Sequence, residues 1–365
     1  LLIFNKYYFK IHSNNFIKPL WFFMNLKELS QILGISQTTV SRALNGYPEV
    51  SEKTRALVNA AATQYNYQPN TKARGLATGK SKMIGYVLPK ASQNEMPNPV
   101  FGDFIAGAAQ TYGKQGYDTT ITLTENDKQA ETYRNLHAKR SVDGVIMQAP
   151  KENDERISIL KKLGLPFVVH GRSTGSNDYH FVDVNNTHAF ARATNFLLDL
   201  GHRRVALING DENLDFAIRR RHGYLQALED RGLEIDTGIM FSSEMTEEFG
   251  YRTMTKLLTM QSRPTAAVLS SYIMAIGARR ALGENGLRIG KDFSIVIHDD
   301  ALSYLPNGST HPVFTATRSS VGEAGRLCAE ILLDIIQNPE QKPRQIILEA
   351  ELVVGSSTGP APKHD

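Results

Sequence analysis

Past residue 82 the sequence alternates between two apolar patterns, and that alternation limits the folds open to it more than any other feature. Continuous apolar runs of buried-strand type stand at 84–88, 119–123, 144–148, 167–170, 205–209, 266–270 and 293–298. Between them, helical apolar spacing appears near 101–115, 127–139, 153–163, 188–200, 217–231, 247–260 and 273–285. A strand that is apolar on both faces needs cover on both sides, and a parallel sheet with helices on each face provides it. So long a stretch exceeds one such sheet, so two lobes are expected. A late segment at 314–319, a helix at 321–336 and strands within 345–354 are expected to return the chain between them. Ligands of such sheets bind at the carboxyl ends of the strands.

Composition narrows the setting. Of 365 residues, 41% are hydrophobic and 21% charged, the balance of a soluble globular chain. No apolar run reaches the roughly 18 residues that a membrane span needs. Cys328 is the single cysteine. It excludes a disulfide framework within one chain and fits a reducing cytoplasm. Charge is unevenly spread. Residues 24–82 hold Lys27, Arg42, Lys53, Arg55, Lys72, Arg74, Lys80 and Lys82 against Glu28, Glu49 and Glu52, while the chain beyond residue 82 is slightly acidic. A basic head on an acidic body points to a head that meets a polyanion.

The head reads as three short helices. Asn25 and Glu28 have capping-box spacing for a helix over 26–33, with Leu26, Leu29, Ile32 and Leu33 as its apolar face. Gly34 permits a turn, Ile35 plugs the junction, and Ser36 caps a second helix reaching Leu44. Val40 and Leu44 point back at the first helix, which leaves Gln37, Thr38, Ser41 and Arg42 outward. A third helix follows Ser51, with Ala56, Leu57, Ala60 and Ala61 expected inward. Pro69 stops it. Residues 70–82 have no apolar stripe, and Gly75 and Gly79 weaken any helix there, so they read as a linker that becomes helical when bound. Residues 1–23 are rich in aromatics, have no acid and match no secretory signal. They are expected to lie outside the working protein, with Met24 as its start. The expected division is 1–23 extension, 24–69 head, 70–82 linker, 83–358 two-lobed body and 359–365 tail.

Catalytic patterns are weak. Neither H-E-x-x-H nor C-x-x-C occurs. Gly75 to Ser81 falls one residue short of a phosphate loop and follows no strand. Gly355 to Gly359 matches G-x-S-x-G by letter, but no helix is expected after it. His298-Asp299-Asp300 closes a strand and reads as a loop that hydrogen-bonds a neutral polar ligand. Of Arg219, Arg220 and Arg221, not all can face one way on a helix, so one is expected to reach into the cleft.

The ordered set G-I-S-Q-T-T-V-S-R-A-L-N, V-S-E-K-T-R, Y-N-Y-Q-P-N and A-R-G-L-A-T-G-K-S, with the body behind it, resembles the lactose-repressor family of bacterial transcription regulators over residues 24–358. The resemblance implies a small all-α helix-turn-helix head on an α/β body of two lobes with parallel sheets, like the type I periplasmic binding proteins. It places Gln37, Thr38 and Arg42 as base readers in the major groove. Thr39, Ser41, Asn45 and Tyr47 are better placed for phosphates. It makes Leu76 a minor-groove wedge flanked by Asn70, Lys72 and Ala73. For a small-molecule effector it implies Phe101, His170, Arg172, Phe216, Arg220, Met245, Ser271, Asp299 and Arg318. Two departures stand out. Ser271-Tyr272 lacks the carboxylate usual before M-A-x-G, and the usual V-x-G-Y/F-D-D reads Val296-Ile297-His298-Asp299-Asp300, without its glycine.

The expected protein is therefore a repressor of carbohydrate-use genes that binds a near-palindromic operator in double-stranded DNA. A sugar between the lobes would control it; the H-G-R strand end resembles that of repressors of α-glucoside or maltose-type operons, which implies a sugar of that kind. A homodimer is expected, because the tail after Gly355 has no leucine heptads for a larger assembly. No cofactor, metal, membrane contact or catalysis is expected. The alternative is a sugar-binding protein serving a transporter, which would need an export signal and no DNA-binding head.

Overall fold

The computed structural model describes residues 24–68, 79–89, 99–175 and 178–362. The chain forms two compact units that divide between Ser81 and Lys82.

The first unit holds α1 (Leu26–Leu33), α2 (Gln37–Leu44) and α3 (Glu52–Gln64). Both halves of the capping box form: the Glu28 amide donates to Asn25 Oδ1 at 3.0 Å and the Asn25 amide to Glu28 Oε2 at 3.1 Å. Gly34 ends α1 with φ of 63°, a left-handed value that costs glycine nothing. Ser36 and Ser51 cap α2 and α3 through the amides of Thr39 and Thr54. Leu29, Val40, Ala43, Val50, Val58, Ala61 and Ala62 make the core. Of the four residues expected inward on α3, Ala61 alone is buried. Ala56, Leu57 and Ala60 are exposed, with Leu57 at 53%, and Val58, Ala61 and Ala62 face inward. The run A-L-V-N-A-A-A has apolar residues on adjacent faces, so periodicity alone does not fix its phase. Ile32 of α1 is also 41% exposed.

The second unit is two lobes, each a six-stranded sheet. In the first lobe β1 (Met83–Pro89), β2 (Asp118–Thr124), β3 (Gly144–Gln148), β4 (Phe167–His170), β5 (Phe181–Val184) and β11 (Gln345–Leu348) lie in the order β11-β5-β4-β3-β1-β2, all parallel. In the second, β6 (Val205–Asn209), β7 (Met240–Ser242), β8 (Ala266–Leu269), β9 (Ser294–Asp299), β10 (Thr315–Arg318) and β12 (Glu351–Val353) lie in the order β12-β10-β9-β8-β6-β7. Only β12 runs antiparallel. Helices α4 (Pro99–Lys114), α5 (Gln129–Ala138), α6 (Glu155–Leu163) and α11 (Val321–Gln337) cover the first sheet, and α7 (Asn186–Asp199), α8 (Asp215–Glu229), α9 (Glu247–Leu258) and α10 (Tyr272–Glu284) the second.

The apolar runs are apolar on both faces because both faces are cores. Along β6, Val205 and Leu207 pack on the α7 and α8 side, while Ala206 and Ile208 pack on the α9 and α10 side. The chain crosses between lobes after β5, after β10 and again between β11 and β12. The expected strand region at 345–354 thus splits, one strand to each sheet. Two strands were not foreseen. β5 carries Asp183 inside its apolar run, and β7 is a three-residue edge strand. The late return of the chain is as expected, and α11 packs on α4.

Candidate functional site

In the head, the two-sided packing of α2 decides what it presents. Val40 and Ala43 are buried, and Gln37, Thr38 and Arg42 are exposed on the opposite side. Thr39 and Ser41 are half-buried. The Thr39 hydroxyl shares a 2.9 Å hydrogen bond with the capping Ser36. Asn45 closes α2 by donating Nδ2 to the Ser41 carbonyl at 2.8 Å. Tyr47, 46% exposed, is fixed through its backbone: its amide donates to the Arg42 carbonyl at 3.1 Å, and its carbonyl accepts from Arg55 Nη2 at 3.1 Å. Asn70, Lys72, Ala73 and Leu76 lie outside the described residues.

In the body, a polar cluster forms around Arg220 of α8, which is only 5% exposed. Its Nε donates to Asn186 Oδ1 at 2.8 Å and its Nη1 to the Ser270 carbonyl at 2.7 Å. The guanidinium lies 4.8 Å from the ring centre of Phe216 and 5.1 Å from that of Phe190. Burial pulls its pKa down to about 10, against the opposing charges of Asp300 and Asp183. Burial likewise pushes the Asp300 carboxyl up to about 6, which Arg220 opposes. His298, whose Nε2 is 3.6 Å from Asp300 Oδ1, is fully buried and held neutral by that burial. The cluster extends into the first lobe. Arg172 Nε donates to Asp183 Oδ2 at 2.8 Å, and Asn186 Nδ2 donates to Asp183 Oδ1 at 3.4 Å and to the Val184 carbonyl at 3.1 Å. Burial outweighs Arg172 at Asp183 and lifts that carboxyl to about 6. Arg172, Asp183, Asn186 and Arg220 therefore form one chain of contacts through the first crossing segment.

The other expected residues fall around this cluster or apart from it. The Phe101 ring meets Tyr86 edge-on at 5.9 Å, and the His170 ring lies 4.4 Å from Phe104. Burial lowers the His170 pKa to about 4, so it is a neutral donor and acceptor. Met245 and Ser271 line a narrow cavity with Asp300, Tyr272 and the first-lobe residue Val100. Ser271 also caps α10 by accepting from the Met274 amide at 3.2 Å. Asp299 and Arg318 are not brought to Arg220. Asp299 Oδ1 accepts from the Ala301 amide at 2.8 Å, and its Oδ2 lies 4.0 Å from Arg318 Nε. Both line a separate cavity of about 380 Å³ under the loop at 301–312. Successive residues at the end of β9 face opposite ways, so His298 and Asp300 share one side and Asp299 takes the other.

Three contributors to the cluster carry no signal in the sequence: Asp183, Asn186 and Phe190; Asp300 reads there as part of a ligand-bonding strand end, without its facing Arg220. Asn186 reads as one more helix-start residue in D-V-N-N, and nothing local marks it as a partner for an arginine 34 positions away. Gln148 is a fourth. At the carboxyl end of β3, its Nε2 is buried without a partner among the described residues.

A helix-turn-helix head with an exposed reading face, joined to two lobes with a charged and aromatic cleft, defines a ligand-responsive DNA-binding regulator. Residues 25–70 match the bacterial regulatory proteins of the lacI family, and residues 194–358 match the periplasmic binding protein-like domain. The chain is 46% identical to the HTH-type transcriptional regulator AglR of Rhizobium meliloti (strain 1021), over 93% of its length and 95% of that protein. It is 33% identical to the HTH-type transcriptional regulator RafR of Escherichia coli, over 88% of its length and 95% of that protein. Among solved structures it is similar to a complex of the transcriptional regulator CelR with cellobiose. The TM-score there is 0.67 at 26% identity, covering 92% of this chain and 99% of that one. The chain belongs to the lacI family of bacterial regulatory proteins and is a DNA-binding transcriptional regulator. Its family head sets it apart from the transporter-serving proteins whose lobes it shares.

Proposed function

We propose that the protein represses carbohydrate-use genes in the cytoplasm, and that a neutral sugar of α-glucoside type, bound between the lobes, controls its hold on a near-palindromic operator. The observation that carries this reading is the Arg220 cluster. A buried guanidinium feels the charge of the Asp300 carboxyl and lies beside Phe216 and Phe190, a set that suits a ring with adjacent hydroxyls. His170, neutral and half-buried, adds a polar group without adding charge. The CelR relative was solved with a disaccharide, cellobiose. Gln37, Thr38 and Arg42 read bases, Thr39, Ser41, Asn45 and Tyr47 hold phosphates, and Leu76 wedges the operator centre from the linker at 70–82. Two heads require two chains, and the edge strand β2 leaves Ile121 and Leu123 exposed at 49% and 61%, apolar surface suited to a homodimer contact. Sugar is bound and released unchanged.

The test is a gel shift of the intact protein on DNA upstream of its own neighbouring genes, paired with a thermal-shift screen of sugars. A specific shift altered by a stabilising sugar supports the reading. No specific shift with or without any sugar overturns it.

A further inference from the structure

The two lobes touch on two flanks, and the flanks differ in kind. On one, Leu302 and Leu305 of the second lobe insert into the apolar core of the first, and Asp103 of α4 accepts from the Ser303 amide and hydroxyl, each at 2.6 Å. This loop continues directly from β9, beside the crossing segment: the Val321 amide donates to the Asp300 carbonyl at 3.0 Å. On the other flank the lobes are joined by hydrogen bonds, beside an ion pair within α8. Asp215, the first residue of α8 and 1% exposed, accepts through Oδ2 from the Thr174 amide at 2.6 Å and from the Thr174 hydroxyl at 2.7 Å. Its other oxygen pairs with Arg219, whose Nη2 also donates to Thr174 Oγ1 at 3.1 Å. The Asp215 amide donates to the Pro150 carbonyl at 3.0 Å. Thr174 and Pro150 belong to the first lobe, and Asp215 and Arg219 to the second.

Separating the first flank would expose apolar side chains. Separating the second would return the charged and polar groups of Asp215, Arg219 and Thr174 to water. We infer that Asp215 is a positioning residue, a latch that holds Thr174 and so keeps the lobes closed over the cleft while the loop at 301–305 serves as the pivot. Asp215 sits five residues before Arg220 on the same helix, so closure at the latch and the placement of the Arg220 cluster move together. Asp215 is buried while Thr174 is exposed, so losing the Thr174 hydroxyl leaves the buried carboxyl short of a donor. The latch rests on the proposal that a sugar binds between the lobes, but its first test needs no sugar.

Hydrogen exchange of the full-length protein without ligand is followed by mass spectrometry on peptides covering 171–175 and 301–305. Asp215→Asn is expected to speed exchange at the Thr174 amide by roughly tenfold or more, with the Ser303 amide and strands β6 and β8 unchanged. Unchanged exchange at Thr174 overturns the latch. So does faster exchange throughout the second lobe, which would mark Asp215 as merely structural. In the second arm, maltose is the probe. Thr174→Val is expected to speed maltose dissociation roughly tenfold, and Thr174→Ser, which keeps the hydroxyl, to behave as wild type. Equal rates for Val and wild type overturn the latch. Failure of the wild type to bind maltose or any other sugar, with the exchange result intact, counts against the sugar reading alone.

Discussion

At the residue scale, function turns on side chains whose neighbours are already in place. Arg42 is exposed on α2 between the buried Val40 and Ala43, so its removal costs the head no packing. Arg42→Ala is expected to lower specific operator affinity by about 1–3 kcal/mol while non-specific binding changes little, as measured by gel shift with operator and scrambled DNA. In the cleft, Asp300 is the carboxyl set against Arg220, and burial lifts it to about 6. A sugar hydroxyl bonds best to the ionised form, so sugar affinity should fall as pH drops from 7.5 through 6 to 5. Asp183 titrates in the same range, so the assignment needs Asp300→Asn, which should weaken binding at pH 7.5 and flatten its pH dependence in calorimetric titrations. The sign for stability is the reverse. A carboxyl raised above its unfolded value favours the folded body below about pH 4, and that contribution is lost as pH rises through about 6. The aspartate pair was legible in the sequence as a ligand-facing strand end, but which of the two faces Arg220 was not. Facing is set by the pleat of β9, and one residue of phase exchanges Asp299 for Asp300.

At the element scale, the body is built from helix pairs that approach to backbone contact. A Cβ at Gly250 of α9 would lie 2.0 Å from the Met274 carbonyl oxygen, and one at Gly277 of α10 2.0 Å from that of Glu247. The same device joins α4 to α11 through Gly107 and Gly325 and α7 to α8 through Gly223. Gly277→Ala is therefore expected to destabilise the body by about 1–3 kcal/mol, visible as a lower melting temperature in calorimetry. The sequence announced these helices by apolar spacing, but not that their glycines are contact points, because a glycine in a helix reads first as a weak position. The same limit explains α3. Its cap could be read from Ser51, but it ends at Gln64, short of Pro69, and its inward face depends on what Leu29 and Val40 leave room for. β5 was hidden because the carboxylate of Asp183 interrupts its apolar pattern.

At the scale of the whole molecule, the architecture was the most legible part, since strands apolar on both faces leave few solutions besides two covered parallel sheets. The lobe contacts were the least legible. Thr174 and Asp215 are 41 positions apart, and Asp103 and Ser303 are 200 apart, with nothing local in either sequence to join them. The body's exposed apolar residues on β2 belong to this scale too. Leu123→Asp is expected to shift the protein from dimer to monomer in analytical ultracentrifugation and to weaken operator binding by at least tenfold, because each head then binds alone. The central claim is that one chain couples operator binding in its head to sugar binding in its body, and thermodynamic linkage makes that coupling reciprocal. The most direct measurement is the fluorescence anisotropy of labelled operator DNA titrated with full-length protein, at saturating maltose and without sugar. The account predicts specific binding whose affinity differs by at least fivefold between the two titrations, and Asp300→Asn should erase the difference while leaving the sugar-free affinity intact. Identical titrations for the wild type, with maltose and with every sugar that stabilises the protein, would contradict it.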